Sequence, residues 1–270
     1  MCLIAFAWRT HRRYPLALIA NRDEFHLRFS AAAGFDPEAA AVYGGRDLVQ
    51  GGSWLQVSTR GRLATVTNVR AAPRPAEAPR SRGWLVRDFV RGNREAVEHA
   101  VALEGTAGEH GRFNLLLWDG AELVFASNHP HPTFAAVSPG LHAMSNGAFD
   151  APWPKSGFAT RALEAWLASG QSGTHDIDRS ALSPLFDALA DTTAAPDDLL
   201  PDTGVGVTLE RTLSPPFVSG ERYGTRSSSV VLIGHGHFVF AERRFGPNAV
   251  PAGESLVTLP FSQVYGAGIP

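Results

Sequence analysis

The chain has 270 residues, of which 44% are hydrophobic and 19% charged, and this ordinary globular composition excludes a largely disordered protein. The formal net charge of −2 argues against nucleic acid as a partner. The longest apolar run, Met1 to Trp8, is too short to span a bilayer, and its arginines follow it, unlike those of a secretory signal. We therefore expect one domain over residues 1–270, located in the cytoplasm, with no membrane span and an undetermined oligomeric state.

The first half of the chain predicts two hairpins, a pair of helices and further strands. A polar run, Asn21 to Glu24, directly follows the second strand, and Phe29 to Gly52, rich in Ala and Gly, is expected to be a surface loop. The strands and helices predicted here are Cys2–Trp8, Leu16–Ala20, Trp54–Ser58, Arg62–Asn68, a helix at Gly83–Arg91, a second helix capped by Asn93 and ending at Gly105, and strands Phe113–Trp118 and Leu123–Ala126.

The second half predicts two short strands, two helices and a last hairpin. Ala194 to Pro216 is expected to be a loop. The predicted elements are strands Phe134–Val137 and Leu141–Ser145, helices Ser156–Ala168 and Arg179–Ala190, and strands Ser228–Ile233, Phe238–Glu242 and Leu256–Leu259. Because strands cluster and helices cluster, the order disfavours a doubly wound sheet and favours an α+β fold. Two mainly antiparallel sheets packed face to face, with helices outside, would use every apolar face.

Several residue types limit the chemistry. Cys2 is the single cysteine, which excludes an intramolecular disulfide and zinc sites with several Cys ligands. Two histidine pairs, His129/His131 and His235/His237, are interpreted as exposed turn residues, because both pairs lack a carboxylate at the usual spacing. No metal is predicted. Lys155 is the only lysine, and we attribute the excess of arginine to a GC-rich genome.

Cys2 directly follows the initiator methionine, which aminopeptidases remove before small residues. The mature chain would then carry a thiol and a free α-amine on one residue. The α-amine, with an ordinary pKa of about 7.7 to 8, accepts the thiol proton and makes Cys2 a nucleophile with its own base. The alternative is that Cys2 is only a small apolar residue at the start of a buried strand.

Polar residues at the ends of strands favour the interpretation of Cys2 as a nucleophile. Arg22 and Asp23 lie on the hairpin partner of the Cys2 strand, where Arg22 is expected to lower the thiol pKa and Asp23 to orient the amine. Asn68 and Asn146 each follow a strand and are candidate donors to an oxyanion. We also expect Arg226, before a buried strand, to contribute to this site.

A family resemblance rests on several motifs spread in order over residues 1 to about 244. Asn21-Arg22-Asp23-Glu24-Phe25 is the signature of the NRDE family, also called the transport-and-Golgi-organisation protein 2 family, and the chain is identified as a member. Further matches are Met1-Cys2, Gly51-Gly52-Ser53-Trp54-Leu55, Thr59-Arg60-Gly61-Arg62, Thr67-Asn68, Phe113-Asn114-Leu115, Ser145-Asn146, Pro152-Trp153, Tyr223-Gly224-Thr225-Arg226 and Glu242-Arg243. Members have been linked to haem trafficking and to lipid or acyl-coenzyme A metabolism.

The chain also resembles, more faintly, choloylglycine hydrolases and penicillin V acylases. These are amidases with an N-terminal nucleophile and a four-layer αββα fold, and the resemblance implies that fold here. It assigns the nucleophile to Cys2, and further site residues to Arg22, Asp23, Asn68, Asn146 and Arg226. Arg22 and Asp23 are adjacent, whereas the amidases space the two apart, so Asn21 could substitute for one of them. We also expect Asn21 and Trp54 to bind the substrate.

Two functions from different classes remain open, beside a structural or interaction role in which the pocket is vestigial. The first is a cysteine N-terminal-nucleophile hydrolase that cleaves an amide bond of an unidentified small molecule and needs no cofactor. The second is a non-catalytic cytoplasmic carrier of haem or an acyl lipid on the same fold, with Cys2 or a histidine as ligand to the haem iron. The sequence carries no CxxCH motif, which excludes covalent haem attachment in the second case.

Overall fold

The computed structural model describes residues 2–73, 78–173 and 177–261. The strands are β1 Cys2–Trp8, β2 Leu16–Phe25, β3 Ser30–Asp36, β4 Ala39–Asp47, β5 Leu55–Ser58, β6 Arg62–Asn68, β7 Phe113–Trp118, β8 Leu123–Ser127, β9 Thr133–Ala136, β10 Gly140–Met144, β11 Tyr223–Ile233, β12 His237–Phe245 and β13 Pro251–Pro260. The helices are α1 Gly83–Arg91, α2 Ala96–Leu103, α3 Pro154–Leu167, α4 Arg179–Leu189 and α5 Val207–Thr212. None of the helices in these ranges has the length and apolar character needed to cross a lipid bilayer.

The chain divides into two compact units, each assembled from separate stretches of sequence. The first unit comprises Met1–Leu27, Val69–Arg74 and Pro139–Thr258, and the second comprises Arg28–Asn68, Pro75–Ser138 and Leu259–Pro270. The expectation of a single domain over residues 1–270 stays a prediction.

The first unit is built on a six-stranded sheet in the order β10-β1-β2-β11-β12-β13. Neighbouring strands from β10 to β12 are antiparallel. Alternate residues of β1 and β2, such as Leu3, Ala5 and Ile19, pack against α3 and α4 in one apolar core, with Leu163 and Leu185 on the helix side. The period of two in the strands therefore leaves Cys2 and Arg22 on the opposite face of this sheet.

The second unit is built on a seven-stranded antiparallel sheet in the order β3-β4-β5-β6-β7-β8-β9. Its core joins Val86 and Phe89 of α1 to Leu115 and Leu117 of β7. With strands and helices segregated in each unit, the predicted α+β class with two mainly antiparallel sheets is confirmed.

The structure corrects three boundaries. The second strand continues to Phe25, so Asn21 to Glu24 lie inside β2 and not after it, because β11 pairs with β2 along this stretch. The loop expected over Phe29 to Gly52 contains β3 and β4. The loop expected over Ala194 to Pro216 contains α5, which buries Glu210.

Strand β4 was predicted as part of a loop because its segment is rich in Ala and Gly. Gly44 has φ of +152°, and a Cβ there would lie 2.5 Å from the carbonyl oxygen of Leu55. Glycine lets the backbones of β4 and β5 approach at this point, where register irregularities interrupt the β3–β4 pairing. Gly and Ala in this segment are therefore compatible with sheet structure, although they are also typical of loops.

Candidate active site

Cross-strand pairing aligns three polar residues in one row of the first unit. Cys2 of β1 pairs with Arg22 of β2, and Arg22 pairs with Ser227 of β11. Because directly paired residues point to the same side of a sheet, the three side chains share the face that α3 and α4 do not cover. Within the described residues the Ser227 hydroxyl has no hydrogen-bond partner, although Ser227 is buried.

Cys2 is also held in place from β10, the other neighbour of β1 in the sheet. The hydroxyl of Ser145, just after β10, donates a hydrogen bond of 2.9 Å to the main-chain carbonyl of Cys2. The β1–β10 pairing ends with Ile4 opposite Met144, and two residues further along each chain are Cys2 and Asn146. Asn146 is fully buried, and its carbonyl accepts a hydrogen bond of 2.7 Å from the amide of Arg70. Cys2 and Asn146, predicted as site residues, are thus brought to one end of adjacent strands.

The Cys2 thiol differs from the sequence expectation. Burial raises its pKa above the ordinary value, and the negative charge of Asp23 adds to this effect, while Arg22 opposes it. Arg22 acts to lower the thiol pKa, as expected, but desolvation outweighs the guanidinium, and the net pKa is raised. The resting thiol is therefore neutral at physiological pH, and a base has to remove its proton before Cys2 can act as a nucleophile.

Asp23 is a buried carboxylate, with 2% of its surface exposed. The hydroxyl of Thr225 donates a hydrogen bond of 2.7 Å to its Oδ1, and the hydroxyl of Tyr223 donates one of 3.2 Å to its main-chain carbonyl. Burial raises the pKa of Asp23, and the positive charges of Lys155 and Arg22 counteract this rise. Burial also raises the pKa of Tyr223, with further contributions from Asp23 and Cys2, so Tyr223 stays a neutral donor.

Arg226 lies at a β-bulge and not before the strand, as the sequence suggested. Thr225 pairs with Asp23 and Ser227 pairs with Arg22, which leaves Arg226 as the extra residue of β11. Its Nη1 donates hydrogen bonds of 3.2 and 3.1 Å to the carbonyls of Phe25 and His26. Burial and the charge of Arg22 lower the pKa of Arg226, so the two guanidinium groups act on each other.

Asn21 uses its side chain to join elements of the first unit. Its Nδ2 donates hydrogen bonds of 2.7 Å to the carbonyl of Leu189 and 2.9 Å to that of Pro216. Its Oδ1 accepts one of 2.6 Å from the hydroxyl of Ser228. These contacts lie on the helix-covered face, and they support a structural role rather than the predicted role in substrate binding.

Asn68 and Trp54 belong to the second unit, and their predicted site roles stay predictions. Asn68 ends β6, where it pairs with Phe113. The carbonyl of Trp54 accepts hydrogen bonds of 2.9 Å from the Thr65 hydroxyl and 3.0 Å from the Val66 amide. The indole ring of Trp54 covers Gly45, whose added Cβ would lie 2.3 Å from it.

Lys155 is the residue that sequence reasoning missed. The only lysine of the chain lies in the first turn of α3 with 3% of its surface exposed, and its Nζ donates a hydrogen bond of 3.0 Å to the carbonyl of Leu213. Burial lowers its pKa to about 8, although the acidic groups Asp23, Cys2 and Glu210 oppose this change when they are ionised. The sequence feature that could have pointed to Lys155 is its position in the run Pro152-Trp153-Pro154-Lys155, directly after a family motif.

A buried ion pair lies beside Lys155. Nη2 of Arg70 contacts Oε2 of Glu210 at 2.5 Å, and both side chains are over 90% buried. Thr203 donates hydrogen bonds to Oε1 of Glu210 through its amide at 3.0 Å and its hydroxyl at 2.5 Å. The pair fixes α5, and with it the carbonyl that binds Lys155. Among the described residues no group of three or more His, Cys, Asp or Glu side chains is placed to hold a metal ion.

The comparisons with known proteins agree with this architecture. Residues 1–247 match the family described as Transport and Golgi organisation 2. The human Transport and Golgi organization protein 2 homolog is 30% identical over 262 residues, covering 90% of this chain and 92% of the human protein. The mouse homolog is 28% identical over 260 residues with the same coverage. A solved mutant, C2A, of the conjugated bile acid hydrolase from Clostridium perfringens aligns with a TM-score of 0.51 at 8% identity, over 100% of this chain and 99% of that one.

Proposed function

Because the chain belongs to the Transport and Golgi organisation 2 family and shares the N-terminal-nucleophile hydrolase fold, we propose that it is a cysteine hydrolase that cleaves an amide bond of a small molecule. The observation that carries the proposal is the setting of Cys2. It opens β1 opposite Arg22, has its carbonyl held by Ser145, and has a thiol that burial keeps neutral. Such a thiol becomes a nucleophile only when a base beside it takes the proton.

The base in this proposal is the α-amine of Cys2, which requires that Met1 be removed. Met1 lies outside the described residues. The amine takes the thiol proton as sulfur attacks the substrate carbonyl, and it then gives that proton to the leaving nitrogen. The C–N bond breaks, a thioester forms on Cys2, and water hydrolyses the thioester to release the acid and regenerate the thiol.

The neighbouring polar residues have distinct tasks in this reaction. Asp23, buried and hydrogen-bonded by Thr225, orients the α-amine through its negative charge. Asn146 donates its amide hydrogen to the oxyanion, a contribution of about 3 kcal/mol in comparable sites. Arg22 stabilises the thiolate as it forms, and Arg226 adds positive charge for an anionic substrate. The free thiol requires a reducing compartment, which agrees with the cytoplasmic location that we propose.

The first test is the intact mass of the purified native protein. Loss of the Met1 mass supports the proposal, and its retention contradicts it, because the α-amine would then lie on the wrong residue. The second test incubates the protein with a panel of N-acyl amides and measures the released amine. Wild type should turn over and form a Cys2-linked acyl adduct detectable by mass, whereas Cys2→Ala should do neither and Cys2→Ser should be slower by orders of magnitude.

The alternative function is a carrier of haem or an acyl lipid on the same fold. A haem iron would take Cys2 as thiolate, and burial disfavours that form of the thiol. Saturable ligand binding that Cys2→Ala leaves unchanged, together with no turnover of any amide, would favour the carrier and contradict the hydrolase.

A further inference from the structure

Lys155 is a buried ammonium group with an incomplete set of hydrogen bonds. An ammonium group has three donors, and within the described part of the chain Lys155 has one acceptor, the carbonyl of Leu213 at 3.0 Å. Its Nζ also lies 6.0 Å from the ring centre of Trp153. Burying a charged amine is costly unless opposite charges compensate it. The position of this lysine therefore needs a reason beyond packing.

The charges around Lys155 come from four different elements. Asp23 on β2, Cys2 on β1 and Glu210 on α5 are acidic groups that favour its protonated form, and Arg70, between β6 and α1, disfavours it. Glu210 already has Arg70 as its ion-pair partner at 2.5 Å. Lys155 lies one turn before Ala159, which packs against the helix-covered face of β1 and β2. The alternation that turns Ile19 to this face also turns Asp23 to it. Asp23 receives the Thr225 hydrogen bond there, and the charge of Lys155 lowers its pKa. Asp23 is therefore the acidic group whose negative charge Lys155 compensates.

We propose that Lys155 is a positioning residue of the Cys2 site, whose buried ammonium group keeps Asp23 ionised and favours the thiolate of Cys2. The inference rests on the proposed nucleophilic role of Cys2, and it adds a residue that acts on the nucleophile without contacting the substrate. Lysine suits this position because its compact charge fits beside a main-chain carbonyl, whereas a planar guanidinium requires several acceptors.

The wild-type charge state agrees with this role. With a pKa of about 8, Lys155 is mostly protonated at pH 7 and loses its charge as the pH rises through 8. Its positive charge lowers the pKa of Asp23 against the effect of burial. Removing that charge should raise the pKa values of both Asp23 and the Cys2 thiol, because both favour their anionic forms next to a cation.

The decisive experiment measures the rate of Cys2 alkylation by iodoacetamide against pH, which reports the thiolate fraction without any substrate. Cys2 is the only cysteine, so the signal has a single origin. Lys155→Met should move the alkylation profile to higher pH and slow the reaction near pH 8 by roughly threefold or more. Lys155→Arg, which retains the charge, should restore the profile in part. An unchanged profile in a folded Lys155→Met protein would overturn the proposal.

A second measurement avoids substitution of Lys155 itself. Because the chain has one lysine, labelling with ¹³C-lysine gives one Cε signal whose pH titration belongs to Lys155. The wild-type midpoint should lie near 8, and Asp23→Asn should lower it, since a negative charge next to the ammonium group is lost. A midpoint that Asp23→Asn leaves unchanged would contradict the coupling even if Lys155→Met fails to fold.

These results separate failure of the inference from failure of the proposed function. Shifted alkylation and lysine profiles without turnover of any amide would support the role of Lys155 and contradict the hydrolase. Amide turnover with a pH profile that Lys155→Met does not move would support the hydrolase and contradict the role of Lys155. A loss of thermal stability alone, with both profiles unchanged, would mean that Lys155 only packs against Leu213.

Discussion

Thr225 joins Asp23 to the loop before β11 with a single hydroxyl group. The hydroxyl hydrogen is donated to Oδ1 of Asp23 at 2.7 Å, and the oxygen accepts a hydrogen bond of 2.9 Å from the amide of Val218. Thr225 is 1% exposed, so water cannot replace either contact. One side chain therefore stabilises the ionised carboxylate and anchors the preceding loop.

Thr225→Val should show both effects. It keeps the shape of the side chain but removes its hydrogen bonds, which should lower the free energy of unfolding by about 1–3 kcal/mol. It should also shift the Cys2 alkylation profile to lower pH, because Asp23 loses a donor that favours its ionised form, and the negative charge of Asp23 raises the thiol pKa. Denaturant unfolding and the alkylation assay measure the two effects. Thr225→Ser, which keeps the hydroxyl, is the matched control, and equal behaviour of the two variants would contradict this explanation.

Asn21→Leu should destabilise the first unit without altering the chemistry of Cys2. It leaves the carbonyls of Leu189 and Pro216 and the hydroxyl of Ser228 without their partner, which should cost about 3 kcal/mol or more. The pH profile of Cys2 alkylation should stay as in wild type, because the Asn21 side chain is uncharged and its hydrogen bonds go to Leu189, Pro216 and Ser228. A shifted profile with unchanged stability would instead favour the site role that the sequence suggested.

Asn146→Ala should reduce kcat by about 10²–10³-fold with little change in KM, as expected when one donor to an oxyanion is removed. The main-chain contact of Asn146 with Arg70 does not use its side chain, so the β10 end should keep its position. Kinetics on any amide that proves to be a substrate would provide the measurement. Unchanged kcat would remove Asn146 from the proposed mechanism.

His99 should make the protein sensitive to acid. Burial lowers its pKa to about 4, with smaller effects from Arg94 and Arg62, and its Nε2 has no hydrogen-bond partner among the described residues. The unfolded state, with an ordinary pKa near 6.5, binds the proton more tightly than the folded state. The stabilising contribution is therefore complete above pH 6.5 and is lost as the pH falls toward 4, by about 3 kcal/mol in total.

The matched variant for this effect is His99→Phe, which keeps an aromatic ring beside Phe89, 5.1 Å away between ring centres. Urea unfolding at pH 5 and pH 7 should show a smaller difference in stability for His99→Phe than for wild type. Equal pH dependence in the two proteins would show that other groups cause the loss.

The sequence predicted the elements that carry Cys2 and its neighbours. Cys2–Trp8 and Leu16 onward are continuous apolar runs that form a hairpin, and its register places Arg22 opposite Cys2. The helices α3 and α4 were predicted from their apolar spacing within two residues of their ends. These features could be predicted because they depend on local patterns of apolar residues.

The features that the sequence did not predict depend on contacts between residues far apart in the chain. The polar run Asn21 to Glu24 forms strand because partners such as Ser228 and Thr225 lie some 200 residues away. Lys155 belongs to the site only because α3 packs against the sheet, and its position after the Pro152-Trp153 motif does not by itself indicate which residues it would meet. The raised pKa of the Cys2 thiol follows from burial, which is a property of the folded unit and not of the neighbouring sequence.

The bulge makes Arg226 a residue that this part of β11 can lose without changing its pairing. Thr225 pairs with Asp23 and Ser227 with Arg22, so removal of Arg226 would leave regular antiparallel pairing with both partners in place. Removal of Thr225 would instead bring Arg226 opposite Asp23 and leave that carboxylate without its hydroxyl donor. We therefore expect the fold to tolerate deletion of Arg226 far better than deletion of Thr225.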